Sequence, residues 1–130
     1  MGLFWSGPPP ITVGEAERHD LLVLAMSGTG HSADASDDLL YELGRARVVS
    51  DDRLPDDIIR MGSRVAVSID GEYKVLRLAY PGSAESGDVS IFSPVGTALL
   101  GLRPGQVMRW TDRSGKVREV RIHAAQSPAG

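Results

Sequence analysis

Between Thr12 and Met26, apolar residues fall at Val13, Ala16, Leu21, Leu24 and Ala25, close to helical period, and Thr12 with Glu15 has the spacing of a capping box. The pattern predicts a first helix over Thr12–Met26, ended by Ser27-Gly28-Thr29-Gly30-His31. Ala35, Leu39, Leu43 and Ala46 then recur four, four and three apart, which predicts a second helix from about Ala33 to Arg47 with one apolar face. Two such helices joined by a short glycine-containing turn make an antiparallel hairpin over residues 12–49.

After the hairpin the period changes. The acidic stretch Ser50 to Asp57, interrupted by Pro55, is a poor helix and predicts a linker over 50–60. From Arg64 to Ile69 the apolar positions alternate at Val65, Val67 and Ile69, and Asp70-Gly71 is a strong hairpin signal leading into a second strand, Tyr73 to Tyr80. Pro81 to Gly87 reads as loop and Asp88 to Phe92 as a third strand, while Gln106–Thr111 and Val117–Ala124 form a second hairpin across Asp112 to Lys116. Between the third and fourth strands, Ser93 as N-cap, Pro94 at the first helical position and Gly101 beyond the end frame a two-turn helix. Its Val95, Ala98, Leu99 and Leu100 need an apolar surface, and the sheet supplies one. The expected class is α+β: a short antiparallel helical hairpin, then a domain over 61–125 with an antiparallel sheet of about five strands and one short helix. A proline-rich tail over 1–11, bearing Phe4 and Trp5, and a tail over 126–130 flank it.

Composition narrows the chemistry. With 130 residues, 42% of them apolar, the chain has material for one ordinary domain and a short appendage. The absence of cysteine removes disulfides, zinc ribbons, thiolate catalysis and iron–sulfur clusters together. A net charge of -3 argues against nucleic acid as the main partner, since neutralising phosphates normally needs a basic patch. No direct sequence-specific nucleic-acid contact is therefore expected, and a protein or small-molecule partner is favoured. No apolar run approaches the ~20 residues that cross a bilayer, and the first ten residues lack the pattern of a signal peptide, so a cytoplasmic location without membrane contact is expected. Met1-Gly2 followed by Ser6 fits the loose myristoylation pattern, which short sequences often match by chance. His19, His31 and His123 have no ligand spacing, and Gly28-Thr29-Gly30 lacks the lysine of a phosphate loop. No metal, cofactor or catalytic group is therefore expected. Trp110, beside Met108, reads as a core or sheet-face aromatic.

Three segments are familiar in combination: Met61-Gly62-Ser63-Arg64-Val65, Tyr80-Pro81-Gly82, and the run from Ser93 to Gly105. Together they resemble the C-terminal domain of the Gre transcript-cleavage factors. The short helical N-terminus, Arg45-Ala46-Arg47-Val48-Val49 and Leu54-Pro55-Asp56-Asp57 resemble the Rnk-like branch of that superfamily, over roughly Thr12 to Ala124. The resemblance implies an FKBP-like C-terminal domain that docks on the rim of the secondary channel of bacterial RNA polymerase, with the hairpin directed at the channel. It implies docking through Tyr80, Pro81, Gly82, Ser83 and Glu85, and through Ser93 and Pro94 beside them; a turn and a helix cap explain the same residues without any partner. Where the family has Gly-Asp after the short helix, this chain has Gly105-Gln106.

A cleavage factor presents carboxylates to the catalytic magnesium from the tip of a long lever. Helices of about 14 residues extend only ~20 Å, roughly half of what such a lever needs. Asp34, Asp37 and Asp38 follow the predicted turn, where the helix dipole by itself favours acids. The expected function is thus a polymerase accessory factor, a monomer or weak homodimer, that competes with Gre factors and does not stimulate cleavage. The alternatives are a module for another protein, such as a nucleoside diphosphate kinase, and a prolyl isomerase, which requires an aromatic-lined pocket.

Overall fold

The computed structural model describes residues 8–28, 30–83 and 85–128, the side chain of Ser83 excepted. Phe4 and Trp5 lie outside the described residues. Helices α1 (Glu15–Met26) and α2 (Ala33–Arg45) form the expected antiparallel hairpin. The Arg18 side chain donates to the Leu43 carbonyl at 3.0 Å near its base, and Ser36 Oγ donates to the Ala25 carbonyl at 2.8 Å near its turn. Ser32 caps α2, its Oγ accepting from Ala35 N–H at 3.1 Å.

The first helix begins three residues later than its pattern predicts. Thr12–Gly14 is a strand, β1, paired in parallel with β2 (Arg47–Val49), which takes Arg47 out of the second helix. Ile11 and Val13 are both buried, at 2% and 1% exposure, an alternation that a strand satisfies and a helix does not. The capping box does not form. Gly14 is the N-cap residue, and the Asp51 carboxylate takes over the cap from a distance, accepting from Ala16 N–H at 2.7 Å and Glu17 N–H at 3.2 Å.

The five-stranded sheet runs in the order β5-β4-β3-β7-β6, with β3 Arg64–Ile69, β4 Glu72–Ala79, β5 Asp88–Ser90, β6 Val107–Thr111 and β7 Val117–Gln126. Asp70 and Gly71 have φ of 51° and 86°, the backbone of a two-residue hairpin turn, and set Ile69 opposite Glu72. In the second hairpin, Asp112 Oδ1 accepts from the backbone of Ser114 and Lys116 and closes the turn. Three of the four pairings are antiparallel. The edge pair β4–β5 is parallel, against expectation, because the loop after β4 returns along the sheet before β5 starts.

Helix α3 (Pro94–Leu99) covers one face of the sheet, and α2 packs on α3. One continuous core results: Leu21, Leu39 and Leu43 of the hairpin join Val65, Val67, Leu78, Leu99, Val120 and Ile122. The acidic stretch after β2 contributes too, since Leu54, Ile58 and Ile59 are buried. Ile59 N–H donates to the Leu102 carbonyl at 2.8 Å, Gly101 N–H to the Ile59 carbonyl at 2.8 Å, and Thr12 N–H to the Gly101 carbonyl at 3.1 Å, so three distant segments are stitched at the end of α3.

Candidate functional site

The parallel pairing of β4 with β5 decides which candidate residues meet. Parallel strands end at the same side of a sheet, so Tyr80, just after β4, and Ser93-Pro94, just after β5, share one edge. Ile91 N–H donates to the Ala79 carbonyl at 2.9 Å and holds the two exits together. Pro81–Ser83 forms a single 3-10 turn next to Tyr80, with Pro81 and Gly82 exposed. Glu85 is elsewhere: its N–H donates to Asp88 Oδ2 at 2.8 Å, at the other end of β5 and about 10 Å along the strands from Tyr80. The expected patch is therefore two places, Tyr80 to Gly82 with Ser93 and Pro94 in one, and Glu85 in the other.

Ser93 has a structural task. Its Oγ accepts from Gly96 N–H at 3.0 Å as the cap of α3 and donates to the Ser90 carbonyl at 2.7 Å, while Thr97 Oγ1 donates to the Ile91 carbonyl at 2.6 Å. Pro94 follows at the first helical position. Beside Glu85, Asp88 and Arg77 form a two-point pair, Nε to Oδ1 at 3.1 Å and Nη2 to Oδ2 at 2.6 Å. Those hydrogen bonds hold the Asp88 carboxyl below the usual range and the Arg77 guanidinium above it.

The hairpin lies along this edge. Tyr80 is packed close to α1, where burial first, and then the Glu17 and Asp20 carboxylates, push its phenol above the usual value. In the turn between the helices, His31 stacks on Phe92, with centroids 3.9 Å apart and planes 9° from parallel, one residue before Ser93. The acids at the hairpin tip face the second β-hairpin: Arg113 lies 3.3 Å from Asp34 and 3.7 Å from Asp38. Asp37, also in the first half of α2, is exposed. Arg113 and its two partners are each more than 60% exposed, so Arg113→Ala should change stability by less than about 0.5 kcal/mol, measured as the urea midpoint at low salt. Among the described residues, no group of three or more His, Cys, Asp or Glu is arranged to hold a metal ion, and no helix is long and apolar enough to cross a membrane.

Two acids that sequence reasoning did not assign to the hairpin base do most of the work there. Asp51 caps α1, and Glu17 Oε1 accepts from Met61 N–H at 3.1 Å, tying α1 to the start of the sheet domain. Burial raises the Glu17 carboxyl, a shift that the Met61 hydrogen bond and Arg60 reduce without cancelling. A carboxyl raised in the folded state binds more protons there than when unfolded, so this residue favours folding more as pH falls through its folded value. Glu17→Gln, which keeps the acceptor and loses the buried charge, should stabilise the protein at pH 7, and the gain should shrink towards pH 4.5 and below in paired denaturation curves.

Gln106, the departure from the Gre pattern, replaces a short acceptor with a longer one. Its Oε1 accepts from Arg103 N–H at 2.9 Å, closing the turn, and its Nε2 donates to the Pro10 carbonyl at 3.0 Å. A groove of about 570 Å³ opens between β4 and α3, lined by Ile69, Leu76, Val89 and Val95 with a charged rim including Lys74 and Arg118. Its lining is aliphatic and charged, unlike the aromatic pocket that prolyl isomerisation requires.

The family described as transcription elongation factor, GreA/GreB, C-term matches residues 54–127. The chain belongs to the GreA/GreB family. It is 38% identical over 112 residues to the regulator of nucleoside diphosphate kinase of Escherichia coli K12, an alignment covering 83% of this chain and 81% of that protein. Transcription elongation factor GreA of Roseiflexus castenholzii is 38% identical over 80 residues, covering 58% of this chain and 51% of the relative. A solved prokaryotic transcription elongation factor GreA/GreB from Nitrosomonas europaea superposes with a TM-score of 0.70 at 32% identity, covering 91% of this chain and 98% of that one. The chain is a Gre-related, transcription-associated regulator, and the relatives it matches are named as regulators and elongation factors.

Proposed function

We propose that this protein binds bacterial RNA polymerase at the rim of the secondary channel, competes there with Gre factors, and does not stimulate transcript cleavage. The observation that carries the reading is the family match over residues 54–127, which includes both halves of the Tyr80 and Ser93 edge. That edge presents an exposed turn, Pro81-Gly82, next to a rigidly capped helix start, Ser93-Pro94, a pre-formed surface that needs little ordering on contact. The hairpin supports the absence of cleavage. Helices of 12 and 13 residues reach about 20 Å, and the tip lies back against the protein's own sheet domain, with Asp34 and Asp38 facing Arg113. Bound at the channel rim, it adds bulk at the mouth without delivering carboxylates to the catalytic metal.

The test is binding of the purified chain to core polymerase, with a Gre factor as competitor and a Pro81→Ala/Ser93→Ala variant as control. Displacement by the competitor and weakening by the substitutions are expected, together with no acceleration of cleavage in backtracked complexes. Cleavage that depends on Asp34, Asp37 or Asp38 would sink the non-cleaving part of the reading. A second reading has one observation in its favour, the name of the Escherichia coli relative: direct capture of a nucleoside diphosphate kinase in the absence of polymerase would replace the first.

A further inference from the structure

The sheet has one face under α3 and one face open. Cross-strand register places Val65, Val67 and Ile69 towards the core, and therefore Arg64, Ala66 and Ser68 on the open side, opposite Arg77, Val75 and Tyr73 of β4. Ser68 also faces Arg121 of β7. Tyr73 is 63% exposed. Between the Ala66–Ala124 and Val67–Ile122 pairs the register of β7 slips, leaving His123 as an extra residue. That bulge turns the imidazole onto the open face, where its Nε2 lies 2.6 Å from Ser68 Oγ and its ring 5.8 Å from Tyr73 at a 31° tilt. Two exposed rings thus stand side by side on a sheet.

The charge on this face runs against that of the chain. Arg77 is matched by Asp88 and Arg109 by Glu119 at 2.9 Å, but Arg121 comes no closer than 3.9 Å to Glu119, and Arg64 forms no direct ion pair among the described residues and only adds its charge to the field at Asp88. Two guanidinium groups without a close ion pair, Arg64 and Arg121, therefore stand on the same face as the rings in a protein of net charge -3. Rings that stack on bases, with arginines that meet phosphates, are the two components of a platform for unpaired nucleic acid. A protein partner would call for a continuous apolar centre, and the large apolar side chains exposed here, Tyr73, Val75 and Val117, are spread over two strands separated by β3.

We propose that the open sheet face, centred on Tyr73 and His123 and bearing Arg64 and Arg121, binds single-stranded nucleic acid without reading its sequence. Binding is weak and its salt dependence is shallow, as few phosphates are neutralised and the bases are held by stacking alone. This surface is separate from the Tyr80 and Ser93 edge and does not depend on polymerase binding.

The experiment is fluorescence anisotropy of the full chain with labelled oligouridylate and oligothymidylate of about twelve nucleotides, within the span one such platform covers, and with a duplex of equal length. It is run at about 50 and 200 mM salt, where phosphate contacts are strongly and weakly expressed. Saturable binding of either single strand is expected. Tyr73→Ala and Arg64→Glu/Arg121→Glu should each weaken it at least about fivefold, Tyr73→Phe should restore it, and the charge variant should flatten the salt dependence. Because these residues lie on an exposed face, melting curves of the variants should match the parent; a variant that melts early is replaced by His123→Ala. No binding at the lower salt, equal binding of the duplex, or binding that all the variants leave unchanged would overturn the proposal. If the oligonucleotides do not bind and the same variants weaken the association with polymerase, the face belongs to a protein interface instead.

Discussion

Gly96→Ala should cost at least about 3 kcal/mol of folding stability, the top of the range for overpacking a well-ordered site. A Cβ at Gly96 would land on the carbonyl oxygen of Ser90, with the Ser90 carbonyl carbon 2.7 Å and Ser93 Oγ 3.1 Å away. None of these atoms is free to retreat. The Ser90 carbonyl accepts from Ser93 N–H at 3.0 Å and from Ser93 Oγ at 2.7 Å, and Ser90 belongs to a strand paired with β4. The helix must move instead, which pulls Ala98 and Leu99, at 6% and 0% exposure, off the sheet. In thermal melts the expected drop is about 10–15 °C for a chain of this size. A change of only a degree or two would mean that α3 does not sit on the end of β5 as described. Because Ser93 and Pro94 begin the same helix, this substitution should also weaken the proposed polymerase binding with both proposed docking residues left unsubstituted.

The second large effect is expected at Asp51. Asp51→Ala removes the acceptor of both Ala16 and Glu17 N–H and leaves the first turn of α1 uncapped, at a cost of about 1–2 kcal/mol. Asp51→Asn retains one acceptor oxygen and should recover part of the loss. At an ordinary helix start, Gly14→Ser would add stability; here its Cβ would collide with the Asp51 carboxylate, so this substitution should destabilise as well. Urea midpoints for the three variants check the order, with Asp51→Asn the mildest. If Gly14→Ser proved stabilising, the Asp51 cap would not be the one that holds α1. The expected consequence is local: loosening of α1 frees the base of the hairpin, while the hairpin turns of the sheet are untouched.

Where both the signal and its cause lie within a few residues, the sequence was legible. Asp70-Gly71 demands its turn through backbone conformations that few other pairs adopt, and Ser93, Pro94 and the four apolar residues after it specify a capped helix. The second hairpin closes through Asp112 and the residues just after it, and α2 begins at its own cap, Ser32. The resemblance of Ser93 to Gly105 to a Gre domain rests on such local chemistry, and so was visible without a structure.

The remainder was decided by segments far apart in the chain. Thr12–Gly14 reads as the start of a helix until β2, 35 residues later, offers it a parallel partner; a three-residue strand has no stability of its own, so its pattern cannot announce it. The direction of β5 depends on the path of the loop before it, and that direction is what unites Tyr80 with Ser93 and separates Glu85 from both. Asp51 looked like one acid among several in a linker and becomes a helix cap only when α1 is brought to it. Local propensity, capping and turn chemistry determined the kinds of element in this protein and most of their limits. Tertiary packing alone determined which helix start borrows a cap, which strand ends are neighbours and where the hairpin tip rests, because those contacts join residues whose proximity no short stretch of sequence encodes.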